Sequence, residues 1–231
     1  MATGRPRRLE YSESTRKALV DSAVELFTRR GYSSTSLDEV AQRARVTKGA
    51  LYHHFGGKQA LFEAAFDQVE SGVVAKLAKV AEDPGEPWEI VQRGIKTFLR
   101  VCLEPTYQRI VVHEAPVVMG WERWREAEKH YSYGIIQELI MTLVETGELR
   151  PLPVQAMVDV FYGGLSSAAT VIATSDDPRK ASADVGTVMN TILDSLRTSP
   201  GEPRVVPPTS LRDAVRQSVH AVKTALTEHD S

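Results

Sequence analysis

The sequence predicts an all-α fold, with a three-helix N-terminal unit followed by a larger helical domain. Three observations predict it. Apolar residues recur every three or four positions along most of the chain, the spacing of one buried helical face. No segment alternates apolar and polar residues between hairpin turns. Val111-Val112 and Val117-Val118 are the most strand-like pieces, and they are too short for a sheet. Proline and glycine mark the breaks between helical runs, at Pro84-Gly85-Glu86-Pro87, Pro105, Pro116, Gly147, Pro151, Pro153 and Pro178.

Each element has a local reason. Ala18, Leu19, Ser22, Ala23, Leu26 and Phe27 form the inner stripe of the first helix, with Arg16, Lys17, Asp21, Glu25 and Arg29 between them. Gly31 closes it as the residue after the C-cap. Ser36-Leu37-Asp38-Glu39 is a capping box that opens a short helix ending at Ala44. Arg45-Val46 is a tight connection, and Thr47 caps a second short helix, Lys48 to His54, ending at Phe55 before Gly56-Gly57. Longer helices are expected near 59–82, 88–103, 107–112, 122–146, 154–174 and 179–197. Beyond them Pro200, Pro203, Pro207 and Pro208 read as a linker. Leu211, Val215, Val219, Val222 and Leu226 then form an amphipathic helix that either docks or dangles. The expected organisation is 1–58 for an arm and the three-helix unit, 59–198 for the larger domain, and 199–231 for linker and last helix.

Composition narrows the function. Of 231 residues 42% are hydrophobic and 25% charged, with 15 Gly and 12 Pro. That balance is globular, and excludes a collagen-like, disulfide-scaffold or wholly disordered chain. No apolar run approaches the roughly 18 residues of a membrane span, and no apolar stretch follows the basic N-terminus as in a secretory signal. A cytoplasmic protein with no membrane partner is expected. Cys102 stands alone, and the six histidines show no H-E-x-x-H or Cys/His spacing, so no metal or cofactor is expected. Charge is uneven: residues 1–58 carry 11 Lys and Arg against 6 Asp and Glu, although the whole chain is net −2. The cationic first quarter suits a polyanionic partner; a basic face left in solvent is the plainer reading.

Two short helices joined by a tight turn behind a longer helix fit a helix-turn-helix. Val40, Ala41 and Ala44 let the first short helix pack closely, Val46 plugs the turn, and Leu51 and Phe55 face inward. The other positions of the second short helix carry no acid, which suits a surface approaching phosphates. Small Gly49 and Ala50 let it sit deep in a major groove. An ordinary helical hairpin would satisfy the same spacing.

The run from Thr35 to Leu61, TSLDEVAQRARVTKGALYHHFGGKQAL, resembles the DNA-binding signature of TetR-family transcriptional regulators. The match is close from Arg16 to Leu61, about a fifth of the chain. The resemblance implies a DNA-binding unit in which Lys48 and Gly49 approach base edges. It places Tyr52 and His54 on phosphate or sugar, His53 at the groove edge, and Thr47 on a phosphate as well as the helix cap. Lys58 would pair with a phosphate at the positive end of the next helix, and Thr35 and Ser36 would grip the backbone. Arg45 departs from the pattern, which has glycine there; it implies left-handed strain or one more phosphate contact. Arg5 and Arg7, flanking Pro6, either enter a minor groove from an extended arm or stay in a solvated tail.

For the remainder, the resemblance implies a helical ligand-binding and dimerisation domain. Phe98, Cys102, Tyr107, His113, Met119, Trp121, Trp124, Tyr131, Tyr133 and Phe161 are the candidates for a pocket taking a small apolar or aromatic ligand, and core packing competes for each. Glu114 beside His113 is a further group for hydrogen bonds. The small run around Gly163, Gly164, Ser167 and Ala168 serves a dimer contact or close packing within one subunit. Gly164-Leu165-Ser166-Ser167-Ala168 comes near a nucleophile elbow, but it lies mid-helix where that elbow needs a strand before it. No catalytic set is present and no enzyme is expected. The implied function is a homodimeric repressor released from a palindromic operator by a small molecule. The alternative is a DNA-binding regulator whose larger domain binds a protein or no ligand.

Overall fold

The computed structural model describes residues 5–198, with side chains from Tyr11 onward; the expected linker and last helix lie outside the described residues. The elements are α1 (Arg5–Arg30), α2 (Leu37–Ala44), α3 (Lys48–His54), α4 (Lys58–Glu82), α5 (Pro87–Val101), α6 (Pro105–Tyr107), α7 (Ala115–Val118), α8 (Trp121–Glu145), α9 (Val154–Thr174) and α10 (Pro178–Ser195). Among these residues the nearest thing to a sheet is one isolated bridge, Leu149 to Arg197.

Chain packing divides the fold into two units. Among the described residues, the first holds those through Glu70 together with Pro105–Trp124; the second holds Ser71–Glu104 and those from Arg125 onward. This division differs from a boundary after Lys58, because two short helical segments far along the chain pack with α1. The Thr28 hydroxyl donates to Thr106 Oγ1 at 3.3 Å, and the Tyr32 amide donates to Glu114 Oε2 at 2.6 Å.

The core of the first unit is the stripe read from the sequence, with Leu19, Ala23, Phe27, Val40, Leu51, Leu61 and Phe62 fully buried. Phe27, Tyr32 and Phe62 meet ring to ring at 5.3–5.8 Å. Helix α1 begins at Arg5, so the backbone of Arg5 and Arg7 is helical and not an extended arm. Pro6 sits in the first turn, where a missing N–H removes no hydrogen bond.

Between α6 and α7, residues Gln108–Glu114 wind as a π-helix, with the Ala115 amide donating to Ile110 O. Pro116 has no amide to give, and its ring crowds the carbonyl four residues back. The wider turn before it accommodates both effects.

In the second unit α9 is 21 residues long and, among the described residues, is the one helix long and apolar enough by length and composition to cross a membrane. The sequence expectation of no such run is corrected here. Small glycines, serines and alanines keep the helix apolar without bulk, and Met157, Val158, Phe161, Tyr162 and Ile172 bury themselves inside the unit.

Candidate nucleic-acid interface and internal cavity

Local chemistry sets the two short helices. The Glu39 amide donates to Ser36 Oγ at 3.2 Å while the Ser36 amide donates to Glu39 Oε2 at 2.9 Å, a closed capping box. Its hydrogen bonds to Ser36 hold the Glu39 carboxyl below the ordinary carboxylate range. Arg45 takes the left-handed conformation, φ 58 and ψ 37, and so turns α2 into α3. The Val46 amide donates to Ala41 O at 3.0 Å. Thr47 caps α3 by accepting from the Ala50 amide at 3.1 Å.

Helix α3 therefore has two faces. Leu51 and Phe55 are buried, while Thr47, Lys48, Gly49, Tyr52 and His53 are exposed. A Cβ on Gly49 would meet nothing closer than Thr47 Oγ1 at 3.9 Å, so packing within the chain does not require glycine there. Lys48 Nζ lies 2.8 Å from Asp38 Oδ1, an acid from α2 that faces the otherwise acid-free helix. The hydrogen bond to Asp38 pushes the Lys48 ammonium up from its ordinary value. Burial, then the neighbouring His53 and Arg16, pushes His54 down, so its imidazole is neutral near pH 7. Lys58 Nζ donates to Ser33 O at 3.2 Å and lies 4.4 Å from the centre of the Tyr32 ring.

Two expected phosphate contacts are placed otherwise. Thr35 is buried, and its hydroxyl donates to Gly31 O at 2.9 Å, tying down the turn that follows α1. Ser36 is exposed, but its hydroxyl is committed to Glu39. The loop residues Ser33 and Ser34 are exposed beside them. Side chains of Arg5 and Arg7 lie outside the described part of the structure.

The second unit contains a cavity of about 100 Å³ between α4, α5, α8, α9 and α10. Its wall is almost wholly aliphatic and aromatic, including Leu77, Ile95, Phe98, Ile136, Leu139, Phe161 and Leu193. One acid interrupts it. Glu128 is 5% exposed and accepts hydrogen bonds from Ser166 Oγ at 2.9 Å and Tyr162 OH at 3.1 Å. Burial pushes its carboxyl above the ordinary range, against the opposing pull of Ser166, Tyr162 and Arg125.

Residues 19–65 match bacterial regulatory proteins of the tetR family, and residues 88–196 match the tetracyclin repressor-like C-terminal domain. A TetR-family transcriptional regulator from Pectobacterium atrosepticum superposes with a TM-score of 0.73 at 31% identity, covering 83% of this chain and 98% of that one. The chain belongs to the TetR family. The regulator AcrR of Shigella flexneri is 29% identical over 153 residues, 64% of this chain and 71% of AcrR. The TetC protein of transposon Tn10 from Escherichia coli is 27% identical over 154 residues, 67% of this chain and 78% of TetC.

Within this TetR-family fold, Phe98 and Phe161 line the cavity among the candidate pocket residues. Cys102 and Tyr131 are buried in the second unit and absent from that lining. Tyr107, His113, Met119, Trp121 and Trp124 belong to the first unit, because Pro105–Trp124 packs there. Tyr107 and Trp124 are core residues, His113 is exposed, Met119 is half-buried, and the exposed Trp121 ring lies 4.8 Å from that of Trp124. Glu114, expected to face a ligand, is occupied by the Tyr32 amide and by Arg109 Nε at 3.0 Å. Tyr133 donates to Asp159 at 2.6 Å. The residue that sequence reasoning passed over is Glu128. It sits in the buried α8 stripe Trp124, Glu128, Tyr131, Ile135, and an acid in such a stripe is the signal that marks it.

The small-residue run divides by helical angle. Gly163 has open space at its missing Cβ and Ser167 is exposed, in line with the exposed Val160 and Val171. A Cβ added to Gly164 would instead lie 3.5 Å from Met189 Sδ of α10, and Ala168 is buried. Packing within the subunit accounts for Ala168, while at Gly164 a methyl would make only ordinary contact with Met189.

Proposed function

We propose that this TetR-family DNA-binding regulator is a homodimeric repressor, released from a palindromic operator by a small molecule held in the cavity of its second unit. The observation that carries the reading is the exposed face of α3, where Thr47, Lys48, Gly49, Tyr52 and His53 stand opposite a buried Leu51 and Phe55. Lys48 reads base edges from the start of the helix. Thr47, Tyr52, His54 and Lys58 fix its register on phosphates. Asp38 holds Lys48 until a phosphate or base edge replaces it.

Dimerisation is supported by an exposed apolar stripe, Val160, Gly163, Ser167 and Val171 on α9, and by exposed Val188 and Ile192 on α10. Two copies joined there present two recognition helices to major grooves one turn, about 34–36 Å, apart. Ligand release is supported by α4, one helix that opens with Lys58 and ends with the cavity residues Leu77, Val80 and Ala81. A cavity near 100 Å³ is smaller than the roughly 150 Å³ that accommodates benzene, so a larger ligand has to move the wall. DNA and ligand then weaken each other by the same factor.

The test is a selection from random duplex DNA with the purified chain at fixed, near-physiological salt. Recovery of one palindrome supports operator recognition by a dimer. Weak binding without sequence preference and with a steep salt dependence overturns it.

A further inference from the structure

We propose that the cavity takes an amphipathic cation, a protonated amine or amidine on a hydrocarbon or aryl tail, with its positive head on the Glu128 carboxylate. This rests on the ligand-release reading above and specifies the class of molecule.

The polar groups of the cavity gather at one end. Glu128 and Ser132 lie one turn apart on α8, and Tyr162 and Ser166 face them from α9. Farther along α8 the lining turns aliphatic through Leu139 and Leu143. From Glu128 to Leu143 the helix advances about 22 Å at 1.5 Å per residue. The cavity is therefore polar at one end and oily along the rest, the complement of a molecule with one head and one tail.

The sign of the head follows from Glu128. An ionised carboxylate offers about four acceptor positions, and the hydroxyls of Ser166 and Tyr162 supply one proton each. Arg125 stands close, 3.5 Å from Ser166 Oγ and 5.7 Å from the centre of the Tyr162 ring. Even so, burial holds the carboxyl above its ordinary range, so its ionised form is costly there until a positive group comes beside it. A cation entering the cavity supplies charge and donors where both are short. An anion meets a like charge, and a neutral head leaves the shortfall unchanged.

The experiment compares n-octylamine, n-octanol and octanoate, one tail with three heads, binding to the full chain at pH 7 by calorimetry and thermal shift. The expected result is octylamine at least tenfold tighter than the other two. Glu128→Gln, isosteric and uncharged, is expected to erase that order while keeping the affinity for octanol; a melting curve checks that it folds. Octanoate binding most tightly would overturn the proposal and give the site to Arg125. Octanol equal to octylamine would overturn it in favour of a neutral ligand. If none of the three binds, the cavity is not a ligand site and the release reading falls too, while the operator reading is decided by DNA selection alone.

Discussion

At the start of α3 the Lys48 ammonium and the Asp38 carboxylate lie 2.8 Å apart, each side chain more than half in water. Glu128 in the second unit is 5% exposed and held by two hydroxyls. The two arrangements serve different ends. An exposed ion pair is worth little and is easily exchanged, so Lys48 can leave Asp38 for DNA at small cost. A buried charge is expensive to leave uncompensated and discriminates strongly among what reaches it. The proposed DNA-facing surface thus relies on reversible contacts held in place by caps and turns, and the proposed ligand cavity on one costly charge held in place by packing.

The largest expected effect tests the backbone geometry of the first unit. Gly31 has φ 81, and an added Cβ would lie 2.6 Å from Glu114 Oε1 and against the Arg109 guanidinium. Gly31→Ala is expected to destabilise the chain by about 2–3 kcal/mol, from left-handed strain plus displacement of that ion pair. Chemical denaturation measures it; a neutral result would mean the turn is not held by α1 and Pro105–Trp124 together.

Next comes the division of labour on DNA. Lys58→Ala should weaken binding to every sequence and lower the log–log salt slope by about 1. Lys48→Ala should narrow the gap between specific and scrambled DNA. Equal losses for both variants on both duplexes would erase the distinction between positioning and reading.

A third prediction sharpens the contrast with Glu128. Its folded carboxyl titrates above its unfolded value, so the folded chain holds the proton more tightly. That contribution is full below the ordinary carboxylate range and is lost as pH rises through the raised value. Glu128→Gln should therefore melt higher than the parent at pH 7, with the difference closing toward pH 4. A lower melting temperature at pH 7 would show that the ionised carboxylate stabilises the fold.

The smallest effects concern the turn and its neighbour. Arg45→Gly should gain no more than about 1 kcal/mol, since relief of left-handed strain is offset by a freer unfolded chain. Asp38→Ala should raise affinity for non-specific DNA by a few fold, read by fluorescence anisotropy at low salt.

Much of the first unit was legible in the sequence because its determinants are local. Ser36 with Glu39, Arg45 and Thr47 act within four residues of themselves, and their side-chain chemistry names the structure they form. Thr35 was misread because its hydroxyl has two local uses, a phosphate outside or the Gly31 carbonyl inside, and burial decides between them. The assignment of Pro105–Trp124 to the first unit depends on contacts across some eighty residues, such as Tyr32 with Glu114. Spacing carries no record of those. The cavity escaped for a related reason: aromatic residues drew attention, while its wall is mostly Leu, Ile and Val, residues that look like any core until helices fail to close over them.

The π-helical turn at Gln108–Glu114 holds one residue more than an α-helix would in the same length. A residue added to a regular α-helix rotates everything after it by about 100°, and the wider π turn absorbs the extra residue so that the segment beyond keeps its direction. Glu114, the last residue of that turn, is thereby held facing the Tyr32 amide. Regular α-helix has no such slack, so a residue added or removed elsewhere between Pro105 and Trp124 is expected to be tolerated less well than one taken from the π turn itself.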